Sequence, residues 1–404
     1  MTDAKRNVLL KILVTLLEGV AYAIASGTLL QVFLNTIGFS ASQIYLHTTI
    51  NQAVQIAVTL TCSRVGERGN PIRRYAYLIV AQGATFLLYI PLCIRMQADL
   101  GAYLLLLTIG ILNVIAGGLG GLLSYTVPYL IYNPRDYGAV TAACGIISSL
   151  LSMGVGIIMA ALTERYSYKA IMLWAFPIAA VLLITSGFLC RSLRPLIDPA
   201  TIQEKKERKK TDFGAVWQVL RQPIFYQLAP SNIFRGFAGG MAGVLAVVAA
   251  ADLGYSEQIT TTLVSVQAAA QLIGCLLFGV LSRRICPRHT IFVSSLSFLC
   301  LPFLLIPNHP ILFLCLAAVI NMGHYAEMYA VPDLLMRVIP GQIAGTYNAY
   351  RLILNHIGTL LATALAAILP SSVMLPLAMA FQLMSGACYF FLPILRKAAP
   401  AASH

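Results

Sequence analysis

The 404-residue chain is 59% hydrophobic and only 10% charged, with a formal net charge of +13 at pH 7. Its mean hydropathy is +0.81, whereas soluble domains carry about 25% charged residues, so a water-facing exterior is excluded. The short alternating segments of a β-barrel do not occur, which leaves helices that satisfy their own backbone polar groups in lipid.

In chain order, the apolar stretches predict twelve membrane-spanning helices. The first six fall at about 8–33, 41–62, 73–94, 100–124, 139–161 and 170–189. The second six fall at about 222–248, 257–280, 289–307, 310–332, 345–368 and 372–394. Each is near the roughly 20 residues that hydrocarbon requires. The first run is too long for a cleaved leader, lacks a small-x-small cleavage site and carries Glu18, so it reads as a retained helix.

The positive charge is one-sided. With the N-terminus inside, every Lys and Arg lies on the inner side except Arg95, Arg165 and Lys169 in outer loops and Arg235 and Arg351 within spans. That asymmetry predicts a plasma (bacterial inner) membrane protein with both termini cytoplasmic, and it argues against nucleic acid as a partner. The nine cysteines lie in or beside spans with no paired spacing, so neither a disulfide framework nor a metal site is expected.

Shifting the chain by 216 residues brings its halves into register. "IGFSASQI" (37–44) falls on "LGYSEQIT" (253–260), and "SRVGERGNPIRR" (63–74) falls on "GVLSRRICPRHT" (279–290). "VPYLIYNPRDYGAV" (127–140) matches "VPDLLMRVIPGQIAGT" (331–346) with a small insertion. The expected organisation is a six-helix bundle at 1–190, a basic linker at 191–221 and a second six-helix bundle at 222–404. The linker holds "EKKERKK" (204–210), and Phe213, Val216, Trp217 and Leu220 share one helical face, which suits a helix lying on the inner membrane surface.

These features resemble the major facilitator superfamily, whose loop between helices 2 and 3 reads Gly-x-x-x-Asp-Arg-x-Gly-x-Arg-Arg. Here the first copy has Glu67 in the Asp place, Arg68 after it, and Arg73 and Arg74, but Ser63 and Asn70 replace the two glycines. The second copy keeps Gly279, Arg284 and Arg288 but puts Arg283 where the acid would be. The resemblance implies two six-helix bundles related by pseudo-twofold symmetry, an all-α secondary transporter working by alternating access. It also implies a gating role for Glu67, Arg68, Gly279 and Arg284, beside the plainer reading of inner-side anchoring. Proton-coupled drug exporters of this superfamily often carry an arginine in helix 4, where this chain has Asn113, so antiport-type export is not marked.

Charge inside a span costs roughly 3 kcal/mol at the bilayer centre, so such groups should face a partner or water. On the first helix Lys11, Thr15, Glu18, Tyr22 and Ser26 form one polar stripe, and on the seventh Gln227, Ser231 and Arg235 form another. "Glu-Gly-x-Ala" at Glu18 becomes "Arg-Gly-x-Ala" at Arg235. By the resemblance both helices line a central cavity, so this pair is a candidate to bind solute, to close a gate or to brace the bundles. Asn51 and Gln55 fall on Gln267 and Gln271 at the same 216 offset, as solute-binding amides or as helix-to-helix glue.

His324 and Glu327 share a face on the tenth helix, and Asn348, Arg351, Asn355 and Thr359 form a stripe on the eleventh. Glu18, His324 and Glu327 are the candidates for carrying a proton, a buried structural network being the alternative. Tyr22, Tyr325 and Tyr347 are stacking candidates, and Arg351 completes the binding set. The two intramembrane acids and two arginines balance, which favours a neutral or zwitterionic, partly aromatic solute.

No soluble phosphate-binding loop and no catalytic constellation appear, so neither ATP-driven transport nor an enzyme is expected. The reading is a monomeric carrier of a small organic solute with the bilayer and a coupling proton as partners and no cofactor. An uncoupled facilitator of a polar metabolite and a non-transporting membrane sensor or structural protein stay open as alternatives.

Overall fold

A computed structural model describes residues 3–25, 27–62, 70–95, 97–124, 127–132, 134–196, 221, 223–281, 286–306, 309–338 and 344–392. Every regular element among them is helical. In chain order they are α1 (Asp3–Ala25), α2 (Gly27–Ile37), α3 (Ala41–Cys62), α4 (Pro71–Leu87), α5 (Ile90–Arg95), α6 (Leu100–Ser124), α7 (Val127–Ile131), α8 (Pro134–Thr163) and α9 (Tyr168–Arg191). There follow α10 (Pro223–Ala242), α11 (Leu245–Ala251), α12 (Glu257–Leu281), α13 (Pro287–Leu296) with a 3₁₀ continuation over Ser297–Leu305, α14 (Pro310–Val338), α15 (Ala344–Ala366) and α16 (Ser371–Phe391).

Nine stretches among the described residues are long and apolar enough to cross a membrane, and α10 with α11, bent by 42°, makes a tenth. The two other predicted spans are also helical, α3 with 22 residues and α15 with 23. They fall outside the apolar set because α3 carries His47, Asn51, Gln52 and Gln55, and α15 carries Arg351, Asn355 and His356. A count of twelve therefore rests on these two polar helices also crossing. The linker's expected surface helix at 213–220 lies outside the described residues.

The internal repeat has backbone counterparts. Gly38 and Gly254, matched by the sequence offset, both take positive φ, +105° and +63°. A Cβ would strain either turn, so "IGFS" and "LGYS" keep glycine at the same place. Pro71 and Pro287, matched likewise, each stand at the first position of a helix, where a missing N–H costs nothing and the fixed φ favours the first turn. Asn70 adds a cap, its side chain accepting from the backbone N–H of Ile72 and Arg73.

The residues group into two compact units, Met1–Ser40 with Ala53–Lys210, and Ala41–Gln52 with Thr211–His404. In the first, α4 and α9 approach closely at Gly187, where a Cβ would lie 2.6 Å from Val80 Cγ2 and 2.8 Å from the Ala76 carbonyl oxygen. Phe33, Tyr89 and Phe176 fill the neighbouring core, with ring centroids 5.2 Å apart for Phe33–Phe176 and 4.7 Å for Tyr89–Phe176. In the second, α10 and α15 touch backbone to backbone, Gly236 against the Asn355 carbonyl and Gly358 against the Ile233 carbonyl. Thr359 donates to the Gly236 carbonyl at 2.9 Å across the same contact. Small residues give these helices the dispersion contact that holds a bundle together in lipid.

A buried asparagine ties three strands of chain in the first unit. Asn7, fully buried near the start of α1, donates to the carbonyls of Ile131 at 3.1 Å and Arg194 at 2.7 Å. Its own oxygen accepts from the Arg194 N–H at 3.1 Å. Leu196 N–H to Leu130 O, 2.7 Å, and Arg194 to Asp3, 3.2 Å, continue the fastening. Asn7→Ala strands these backbone groups, so a loss of about 2 kcal/mol is expected, read as a lowered Tm in detergent; an unchanged Tm would show the fastening to be redundant.

Candidate functional site

In the first unit the polar stripe of α1 meets three other helices. Lys11 Nζ lies 3.7 Å from Glu18 Oε2, seven residues on and two turns along the same face. Ser186 of α9 donates to Glu18 Oε1 at 3.1 Å, and the Lys11 ammonium stands 5.8 Å from the centre of the Tyr75 ring of α4. The carboxylate is thus answered by an ammonium and a hydroxyl, while its side chain keeps 14% exposure. Thr15 donates to Cys144 Sγ at 3.3 Å. One turn beyond Glu18, the Tyr22 hydroxyl donates to Gln82 Oε1 at 2.7 Å, and Gln82 Nε2 donates to Asn113 Oδ1 at 2.9 Å. Ser26 lies outside the described residues.

In the second unit the charge is dry. Arg235 Nε on α10 lies 3.3 Å from Glu327 Oε1 on α14, with side chains 4% and 0% exposed. Gln382 of α16 donates to Glu327 Oε2, so three helices converge on one carboxylate. The surroundings of the pair are polar: Ser231 and Ser385 hydroxyls stand 3.0 Å apart, and Tyr389 donates to Asn232 Oδ1 at 3.2 Å. Neutral hydroxyls and amides around a buried ion pair supply part of the solvation that lipid cannot.

The sequence set Glu18 and Arg235 as candidates to face each other; each has a charge partner of its own within its unit, Lys11 and Glu327. It also grouped His324 with Glu327. The His324 ring instead packs against Phe298 and Tyr325, at centroid distances of 6.3 and 5.6 Å, while Glu327 turns to Arg235 and Gln382. Residues three apart on a helix are neighbours, but the helices packed on either side decide which way each side chain is drawn. Gln267 and Gln271 lie half-buried on α12, and Arg351 half-buried on α15. Asn51 Nδ2 stands 3.1 Å from the His47 ring nitrogen one turn away. Gln55 lies against Gly118 of α6.

Glu67, Arg68 and Arg284 lie outside the described residues, as does the side chain of Tyr347; Gly279 belongs to α12. Ser186, Gln82 and Gln382 were passed over by the sequence reading; Gln82 and Gln382 are the sole side-chain amides of the spans 73–94 and 372–394. That was the available signal, since an amide or hydroxyl in lipid seeks a partner.

The profile of the Major Facilitator Superfamily matches residues 12–363. No curated protein matches the chain. Similar solved structures include a bacterial homologue of the iron transporter ferroportin in an inward-facing state, at TM-score 0.69 and 13% identity, covering 96% of this chain and 97% of that one. The nucleoside transporter NupG in a mutant form matches at TM-score 0.71 and 11% identity, covering 95% and 100%. A D-xylose-proton symporter matches at TM-score 0.71 and 15% identity, covering 96% and 98%.

The ion pair makes a stability prediction. Glu327→Ala leaves the Arg235 guanidinium buried and uncompensated, with an expected loss of about 3–5 kcal/mol, whereas Arg235→Met with Glu327→Leu recovers most of it. Thermal unfolding in detergent measures both, and equal losses in the single and double variants would show that the pair is not what the bundle depends on.

Proposed function

Because the chain belongs to the major facilitator superfamily, and is therefore a multi-pass secondary transporter rather than an enzyme, we propose that it carries a small neutral or zwitterionic organic solute by alternating access, coupled to a proton. The observation that carries this reading is that both intramembrane acids already have a base within ion-pair range, Glu18 with Lys11 and Glu327 with Arg235. A solute whose net charge exceeds what Glu18 or Arg351 alone can answer would have to displace one of these partners or enter unpaired, and either is costly in a low-dielectric setting. The recognition groups are then mainly hydroxyl and amide, Tyr22, Asn51, Gln55, Gln267 and Gln271, with Tyr325 and Tyr347 as flat apolar surfaces and the Arg351 guanidinium as the one charged donor.

The two charged pairs take different roles. Glu18, partly exposed and held by an ammonium and a hydroxyl, is the charged contact for the solute. Glu327, buried against Arg235 and Gln382, is the proton carrier: protonation removes one half of the ion pair and frees α10 to shift against α14. Repeated-half transporters work by moving such bundles about a midplane site. Two six-helix halves, a cytoplasmic gate at Glu67 and Arg68 with Gly279 and Arg284 as weaker counterparts in the repeat, a monomer, and both termini inside a bacterial inner membrane complete the reading.

Liposome uptake of a solute panel, with and without an imposed proton gradient, tests it. Wild type is expected to accumulate a neutral or zwitterionic solute only with the gradient, and Glu327→Gln to equilibrate that solute without accumulating it. Glu18→Gln is expected to lower uptake about tenfold or more, the scale of losing one charge-assisted contact. Uptake by wild type that ignores the gradient would leave an uncoupled facilitator as the function.

A further inference from the structure

Resting on that reading of a neutral cargo, we infer that Gln82 and Asn113, together with Tyr22 and Gln55, form a recognition subsite for a solute that presents a hydroxyl or amide as paired donor and acceptor. Within the first unit, α1, α4, α6 and the part of α3 from Ala53 onward bring these groups together. The hydrogen-bonded chain runs in one direction, from the Tyr22 O–H to Gln82 Oε1 and from Gln82 Nε2 to Asn113 Oδ1. An amide has two N–H donors and an oxygen with two lone pairs, and this chain uses one donor and one lone pair of Gln82. The polarity of the chain fixes the amide of Gln82 and engages Asn113 through its oxygen, so the chain itself does not use the Asn113 NH₂.

The floor of the subsite is built for these amides. One turn after Asn113, α6 has Gly117 and Gly118, and each receives a glutamine side chain. A Cβ on Gly117 would stand 2.8 Å from Gln82 Nε2, and a Cβ on Gly118 would stand 2.9 Å from Gln55 Oε1. Glycine is thus needed for both amides to lie where they do. All four polar side chains are half-buried, so the amides of Gln82, Asn113 and Gln55 are open to a ligand on one side while the ring of Tyr22, edge-on to Phe86 at 6.5 Å, stays packed. None of the four is ionisable near neutrality, and the nearest charge, Glu18 one turn along α1, is already answered by Lys11 and Ser186, so these four groups favour hydroxyls and amides, which exchange one hydrogen bond for another.

The site makes Gln82 a positioning residue: it holds Tyr22 and Asn113 in the orientation that a ligand meets. Uptake into liposomes of D-xylose, uridine and glutamine, set beside benzoate and tetramethylammonium as charged probes, tests the assignment. Gln82→Leu removes the amide at similar size, Gly117→Ala displaces it without deleting a polar group, and Gly121→Ala, where a Cβ meets nothing within 4 Å, is the control. For whichever neutral probe wild type moves, the first two variants are expected to raise KM about tenfold while kcat stays within about twofold, and the control to change neither. A loss of fold would lower the amount of active carrier and so kcat, which separates it from this pattern. An unchanged KM in Gly117→Ala and Gln82→Leu, for a probe that wild type moves, would overturn the subsite alone. Wild-type uptake confined to the charged probes, or of none of the neutral ones, would overturn the neutral-solute reading and the subsite with it.

Discussion

An ionised side chain inside a lipid-facing bundle must be answered by another group of the protein, and the architecture of each unit follows from how that is done. In the second unit the answer is a buried counter-charge: Arg235, Glu327 and Gln382 bring α10, α14 and α16 to one point with essentially no exposure. Around it the helices close to backbone contact, and glycines at 236 and 358 make that approach sterically available. In the first unit the answer is partial. Glu18 has Lys11 and Ser186 but keeps some exposure, and the polar groups beyond it are the neutral hydroxyl and amides of Tyr22, Gln82 and Asn113.

In the proposed function this difference between the units is a division of labour. A dry ion pair resists substitution one residue at a time, because removing either partner leaves a charge with no solvent. By the same argument, protonation of Glu327 would leave Arg235 without its counter-ion, which in the proposed function is what makes α10 shift. A half-buried amide chain suits recognition, since its bonds are individually modest and exchange readily with those of a ligand. Asn7, by contrast, spends all of its hydrogen-bonding on backbone at the ends of α7 and α9, and its role is to fix chain geometry.

Much of the fold was legible before any coordinates. The twelve apolar runs located the helices because a span must be long and its backbone self-satisfied, and the 216-residue offset located the repeat, whose turns reappear as positive-φ glycines at 38 and 254. The polar stripe on α1 was readable from helical period alone, and Lys11 and Glu18 do meet along it. The two least apolar runs, 41–62 and 345–368, were harder to weigh: their amides and His or Arg residues lower the very hydropathy by which a span is recognised.

The candidate site divides in the same way. Periodicity along one helix, and hence the shared face of Glu18 with Tyr22 or of His324 with Glu327, is a local property set by 100° per residue, and the sequence determines it unaided. Partnership between helices is not local. That Glu327 is drawn to Arg235 and Gln382 while His324 packs on aromatic rings, that Gln82 bridges Tyr22 and Asn113, and that Gly117 and Gly118 leave room for two amides depend on the rotation and separation of packed helices. Those follow from the sum of many small contacts across the whole bundle, which no short stretch of sequence contains, and only the tertiary structure decided them.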